Sequence, residues 1–208
     1  MNRLVRYSLA GVAVAALMTS GAVVARTQAT KVPAEVRAGT YALDAAHGKI
    51  TWSVDHLGFS TYYGQFVNVQ AELRLDPANP SASTLTATIP LTDVDANSGG
   101  LDAHLQTADF FDTANHPTAT FVSRSITIDS DDPTEADVLG DLTIRGVTRP
   151  VTMEVEFNQA GPSMGNTYKV GFDGEATIKR SEFGVNYALP AVSDEVKMHL
   201  EGEFVLQQ

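Results

Sequence analysis

Residues 50–66 read ITWSVDHLGFSTYYGQF. The stretch opens on strict alternation: Ile50, Trp52, Val54 and His56 fall on one side, and Thr51, Ser53, Asp55 and Leu57 on the other. A period of two places successive side chains on opposite faces of a strand. Leu57-Gly58-Phe59-Ser60 interrupts the pattern, and Gly58 can adopt backbone angles that a Cβ forbids. After Gly64 the alternation resumes through Val67, Val69, Ala71, Leu73 and Leu75. Two long strands meeting at a glycine-bearing corner predict a strongly bent, closed antiparallel sheet. The only tryptophan of the chain lies on the apolar face of the first strand.

Working outward, the N-terminal end is a different kind of sequence. Arg3 and Arg6 precede the uncharged apolar run LAGVAVAALM, and Val23-Val24-Ala25 offers small residues for cleavage. Residues 1–25 therefore read as a secretory signal peptide. The run from Ser8 to Ala25 is short and diluted by Ser, Thr and Gly, which disfavours a membrane span. Residues 26–38 are polar and aperiodic and are expected to be a flexible leader, leaving 39–208 as one domain. The chain carries 14 basic and 25 acidic residues for a formal net charge of −11, and losing residues 1–25 makes it −13. Such a charge argues against nucleic acid or an anionic bilayer as a partner. With no cysteine in the chain, disulfides, thiolate metal sites and a cysteine nucleophile are excluded.

The remaining sequence is dominated by alternation. Strands are expected near 40–44, 85–91, 118–128, 137–145, 147–158, 167–179 and 194–206, with Arg145-Gly146-Val147 as a tight hairpin turn. Between residues 95 and 117 the rhythm breaks. Leu101, Leu105, Ala108 and Phe111 approach helical spacing, with Ser98 or Asp102 able to cap. Strands apolar on one side must bury that side against a second sheet or inside a barrel. Glycines on the inner face (Gly140, Gly174, Gly202) favour the barrel. The expectation is an all-β, eight-stranded antiparallel barrel with one short helical insert.

Several segments, taken in order, resemble the YceI family. They are Tyr41-x-x-Asp44-x-x-His47; His56-Leu57-Gly58-Phe59-Ser60 with Gly64-x-Phe66; Asp102-x-His104-Leu105-x-x-x-Asp109-Phe110; and His116-Pro117-x-x-x-Phe121. Gly140-Asp141-Leu142-Thr143-Ile144-x-Gly146-Val147-Thr148-x-Pro150, Lys179-Arg180-Ser181-Glu182-Phe183-Gly184 and Val192-Ser193-Asp194-Glu195-Val196 complete the set. The resemblance implies an extended lipocalin-like β-barrel, periplasmic or secreted, that binds a polyisoprenoid or another long-chain amphiphile. The chain departs from the family at Gly48, Leu101 and Gln106, where Ser, Arg and a basic residue are common. If the last charge meets a ligand head group, a neutral head is implied here.

With that resemblance, the inner faces become a candidate ligand lining: Trp52, Val54, His56, Phe66, Val69, Leu73, Leu85, Ile89, Phe110, Phe121, Leu142, Met153, Val155, Phe172, Ile178 and Met198. Tyr62 and Tyr63 are candidates for the mouth. The expected partner is a hydrophobic lipid, an isoprenoid or fatty-acyl chain, with no other cofactor and no metal. A homodimer is compatible with the sequence. Gly161-Pro162-Ser163-Met164-Gly165 fits the G-x-S-x-G pattern, with Asp194 and His199 following. That motif needs a strand, an elbow and a helix, and here it falls in hairpin-loop composition. Asp102, His104, Asp109, Asp112 and His116 are of metal-ligating type but lack a paired-histidine spacing. His56 reads as a hydrogen-bonded histidine at the corner. Without a convergent acid–base set, the expectation is a binding protein and not an enzyme, with a barrel used only as an interaction scaffold as the alternative.

Overall fold

The computed structural model describes residues 28–207, so the expected signal segment lies outside the described residues. The strand segments are β1 (Gly39–Leu43), β2 (Lys49–His56), β3 (Ser60–Phe66), β4 (Gln70–Leu75), β5 (Thr84–Pro90) and β6 (Val94–Asp95). One helix, α1 (Gly99–Leu105), follows, then β7 (Thr118–Ile128), β8 (Glu135–Ile144), β9 (Val147–Pro162), β10 (Tyr168–Lys179) and β11 (Glu195–Leu206).

These segments form eight staves of one closed antiparallel barrel. β1 and β2 share a stave, because both run against β11: Tyr41 faces Leu206, and Ser53 faces Lys197. β3 and β4 share the next stave, pairing with β2 and β1 respectively. β5 and β6 share the third, pairing with β4 and β3. From β7 to β11 each strand pairs with its sequence neighbour, and the β1–β11 ladder closes the ring. Closure removes the exposed edges that an open sheet would present.

The interruptions within the first three staves lie side by side, at residues 44–48, 67–69 and Leu91–Asp93. A hydrogen bond ties two of them: Asn68 Nδ2 donates to Asp93 Oδ2 at 2.9 Å. Asn68 takes φ +58°, a conformation that asparagine tolerates better than most residues. Beyond this row of breaks the wall is incomplete, since β6 pairs with β3 at two positions only and not with β7. The helical insert fills that seam. Leu101, Leu105, Phe110 and Phe111 pack with Trp52, Phe66, Val94 and Ala96. Arg145, in the β8–β9 turn, holds the insert from outside by donating to the carbonyls of Ala108 and Phe110. Ser98 is the residue before α1 but makes no side-chain cap, whereas Asp102 Oδ1 accepts from Ala96 N at 2.6 Å.

Residues 28–38 differ from the flexible leader expected for them. Thr30 exchanges two backbone hydrogen bonds with Ala160, at 2.7 and 2.9 Å. Pro33–Glu35 forms a 3-10 turn, and Val36 is buried against Tyr41, Leu73, Phe157, Ala160, Val170 and Phe204. The segment caps one end of the barrel. A cap contributes single apolar residues rather than a repeating face, so it carries no periodic signal.

Candidate functional site: two apolar chambers inside the barrel

The barrel interior contains two adjoining chambers. Chamber 1, about 380 Å³, lies at the end built from β2, β3, α1 and the loop after β10. Chamber 2, about 320 Å³, lies at the end covered by Pro33, Ala34, Val36, Pro77, Pro80 and Pro133. Ile50 lines both.

The residues read as inner lining divide between them. Trp52, Val54, His56, Phe66, Ile89, Phe110, Leu142, Ile178 and Met198 line chamber 1. Val69, Leu73, Leu85, Met153, Val155 and Phe172 line chamber 2. Phe121 lines neither. A Cβ on Gly140 would stand 2.3 Å from Phe121 Cζ, so that ring occupies the space beside the glycine of the neighbouring strand. It packs with Val138, Leu142, Met153 and Phe183 as core.

The same device shapes chamber 1 at Gly64. Trp52 and Gly64 are cross-strand partners, and a Cβ on Gly64 would be 2.1 Å from Trp52 Cζ2. The missing side chain lets the indole lie across β3. Trp52 Nε1 is buried and finds no hydrogen-bond partner among the described residues, a condition that costs about 1–3 kcal/mol.

The loop from Phe183 to Ser193 supplies a wall that the strand pattern did not announce. Phe183, Val185, Tyr187, Ala188 and Val192 line chamber 1. Arg180, itself buried, organises this loop. Its Nη1 donates to the carbonyls of Val185 (3.0 Å) and Tyr187 (2.8 Å), Nη2 to Val192 (2.9 Å) and Nε to Ser193 (2.8 Å). Burial lowers the pKa of Arg180 from its ordinary value. The planar fork of donors suits this multiple carbonyl recognition in a way a lysine would not. The alternation of Phe183, Val185 and Tyr187 was the signal available in sequence.

Polar groups around chamber 1 are few. Tyr62 Oη donates to Ala96 O at 2.8 Å. His104 Nε2 lies 2.9 Å from Asp109 Oδ2, and the His104 ring stacks edgewise on Phe110 and Tyr187 at 5.0 and 4.9 Å. His56 is exposed at the rim, 6.4 Å from the Tyr62 ring. The hydrogen bond expected for it is not formed among the described residues. Tyr62 faces the chamber, whereas Tyr63 is exposed outside it. Leu101 keeps the wall apolar, and Gln106 is not part of it.

The other chemical candidates are committed elsewhere. Asp112 accepts from Asn115 Nδ2, and Asp102 serves Ala96 N. The convergent group among the described residues is Asp44, His47 and Glu203, on the outside of the barrel. Lys169 Nζ already sits there, 2.8 Å from Asp44 and 2.7 Å from Glu203. Hydrogen bonds from Lys169 and then His47 lower the Asp44 pKa to about 2, and the same contacts raise that of Lys169. Ser163 stands between two strands at the β9–β10 connection. Asp194 bonds Ser181, while His199 faces Glu175 and Glu201. The G-x-S-x-G match is therefore a hairpin loop and not a nucleophile elbow.

An eight-stranded antiparallel barrel with an apolar interior and few polar groups is the architecture of a binding barrel. A YceI-like domain profile matches residues 41–204, and the chain belongs to the YceI-like family. It is 37% identical to protein YceI of Escherichia coli (strain UMN026) over 173 residues, 82% of this chain and 89% of that protein. The crystal structure of Burkholderia cenocepacia BcnA superimposes with a TM-score of 0.70 at 28% identity, covering 77% of this chain and 98% of that one. A polyisoprenoid binding domain from Saccharophagus degradans shares the fold, with a TM-score of 0.60 at 13% identity over 82% of this chain and all of that domain.

Proposed function

We propose that the barrel holds a long-chain isoprenoid or related amphiphilic lipid, for storage or transport in the periplasm or after secretion, without catalysing a reaction. The observation that carries this reading is the pair of adjoining apolar chambers, about 380 and 320 Å³, inside a closed barrel. Each methylene taken from water contributes about 0.8 kcal/mol, so a chain of ~20 carbons gains roughly 16 kcal/mol before ordering and immobilisation are subtracted. No salt bridge is required. The Arg180 donors and the Tyr62 hydroxyl are engaged by backbone carbonyls, which favours a neutral head group. The signal-like residues 1–25 support export, and the relative described as a polyisoprenoid binding domain supports the ligand class. An interaction scaffold predicts a side-chain-filled interior together with an exposed apolar patch; the two chambers favour the lipid reading.

Trp52 provides the test. It is the single tryptophan and lines chamber 1. Titration with a brominated fatty acid should quench its fluorescence saturably, and native mass spectrometry should show one retained prenyl or acyl chain. Absence of both signals would sink the proposal. Ala119→Trp, which places an indole in the chamber 1 wall, should abolish retention while the barrel stays folded by circular dichroism.

A further inference from the structure

Two residues lining chamber 1, His56 and Tyr187, are exposed and mark where it meets solvent. Immediately outside stands an apolar promontory. At the β2–β3 hairpin tip, Leu57 is 52% exposed and Phe59 89%; Tyr63 on β3 is 62% exposed and Tyr187 47%. The tip is braced by the chamber-wall loop. Leu57 N donates to Ala191 O at 2.8 Å, Ser193 N to Asp55 O at 3.0 Å, and Asp55 N to Ser193 Oγ at 3.0 Å. His56 and Val192 form a β-bridge.

Folding does not account for the Leu57 and Phe59 side chains at the tip. Leu57 and Gly58 take φ +59° and +71°, a turn that Asn-Gly fills with less strain. Leu57 and Phe59 belong to none of the buried clusters. The two chain segments that build the promontory also carry no fixed charge. Residues 56–65 and 183–193 contain no Asp, Glu, Lys or Arg, in a chain with 14 basic and 25 acidic residues. The bounding carboxylates are engaged at home: Asp55 accepts from Gly58 N, and Asp194 from Ser181.

We infer that this promontory seats the barrel on the surface of a neutral lipid bilayer, with Phe59 in the acyl boundary and the Leu57, Tyr63 and Tyr187 side chains around it. The mouth of chamber 1 then faces the membrane, and a chain passes between bilayer and barrel with little exposure to water. A protein partner would be expected to meet a polar, charge-bearing rim. A bilayer interface instead favours aromatic side chains without charges to desolvate. The net charge of −11 opposes an anionic surface, which fixes the lipid as zwitterionic. The inference rests on the lipid-binding reading of chamber 1.

Flotation of the protein with phosphatidylcholine vesicles tests it. The protein should float, and added phosphatidylglycerol should weaken binding. Phe59→Ser should lower partitioning roughly tenfold or more, the loss of one buried aromatic side chain, and Leu57→Ser by less. Both changes lie outside the core, so Trp52 quenching by the brominated fatty acid should be unchanged. Equal flotation of wild type and F59S would overturn the inference. So would no flotation at all, or a dimer that F59S dissociates without any vesicle binding. Vesicle binding with no uptake of any chain would defeat the storage reading and leave the docking surface standing.

Discussion

Gly64 has no room for a side chain, because the Trp52 indole occupies the space a Cβ would need. Gly64→Ala should destabilise the barrel by about 1–3 kcal/mol in chemical denaturation, the usual penalty of overpacking. Gly171→Ala, where the nearest atom to the new Cβ is 3.8 Å away, should change little. Trp52→Phe should relieve Gly64→Ala, and a non-zero coupling energy in the double-mutant cycle would confirm contact. Asp44 offers a second residue-scale prediction. Its pKa is about 2 in the folded protein against an ordinary 3.8, so the unfolded chain binds this proton more readily. Its stabilising contribution is complete above pH about 4 and is lost as pH falls toward 2. Lys169 has a raised pKa, so its contribution holds up to its ordinary value and fades at higher pH. Asp44→Asn should flatten the fall in unfolding free energy across the acid window; an unchanged slope would place the acid sensitivity elsewhere.

Among the elements, the loop from Phe183 to Ser193 depends on one cation. Arg180→Met should strip four carbonyls of their donors and cost about 3 kcal/mol or more. Arg180→Lys should rescue it only in part. Limited proteolysis should cut within 183–193 in both variants faster than in wild type. This loop also shows where sequence reading ends. β7 coincides with the strand read at 118–128, because all its residues except Arg124, which sits at a register shift, have a ladder partner. The loop is organised by a guanidinium reaching carbonyls up to 13 residues away, a contact that the alternation of Phe183, Val185 and Tyr187 does not encode. At residues 67–69, one run of alternation was read from 64 through 75. Phe66 faces inward from β3 and Val69 beyond the break, so the inward parity switches where Asn68 turns the backbone between β3 and β4. β9 continues to Pro162, past the expected 158, because a register shift opposite Gly171 and Phe172 rephases the pattern. Most of the chamber lining was legible because inward-facing strand positions repeat every second residue. Phe121 misled because its ring lies on Gly140, a pairing between strands that one strand's pattern does not reveal.

Considered whole, the molecule is a barrel divided near its middle. Ile50 borders both chambers and packs with Val69, Ile89, Leu91 and Ala119. On the lipid-binding proposal, a chain too long for one chamber of about 380 or 320 Å³ passes Ile50 into the other. Ile50→Ala should therefore raise retention of solanesol relative to farnesol roughly tenfold in competition by native mass spectrometry, alongside a stability loss of about 2–4 kcal/mol from the truncation. An unchanged ratio would show that Ile50 does not govern chain length.

The three interruptions side by side, at residues 44–48, 67–69 and Leu91–Asp93, let chain be added or removed without slipping a ladder by one residue and inverting its faces. The mouth end can thus change length and composition while the capped end keeps its register. Descendants of one such barrel could diversify their portals rapidly and their closed ends slowly, so that the two halves of a single fold accumulate substitutions at different tempos.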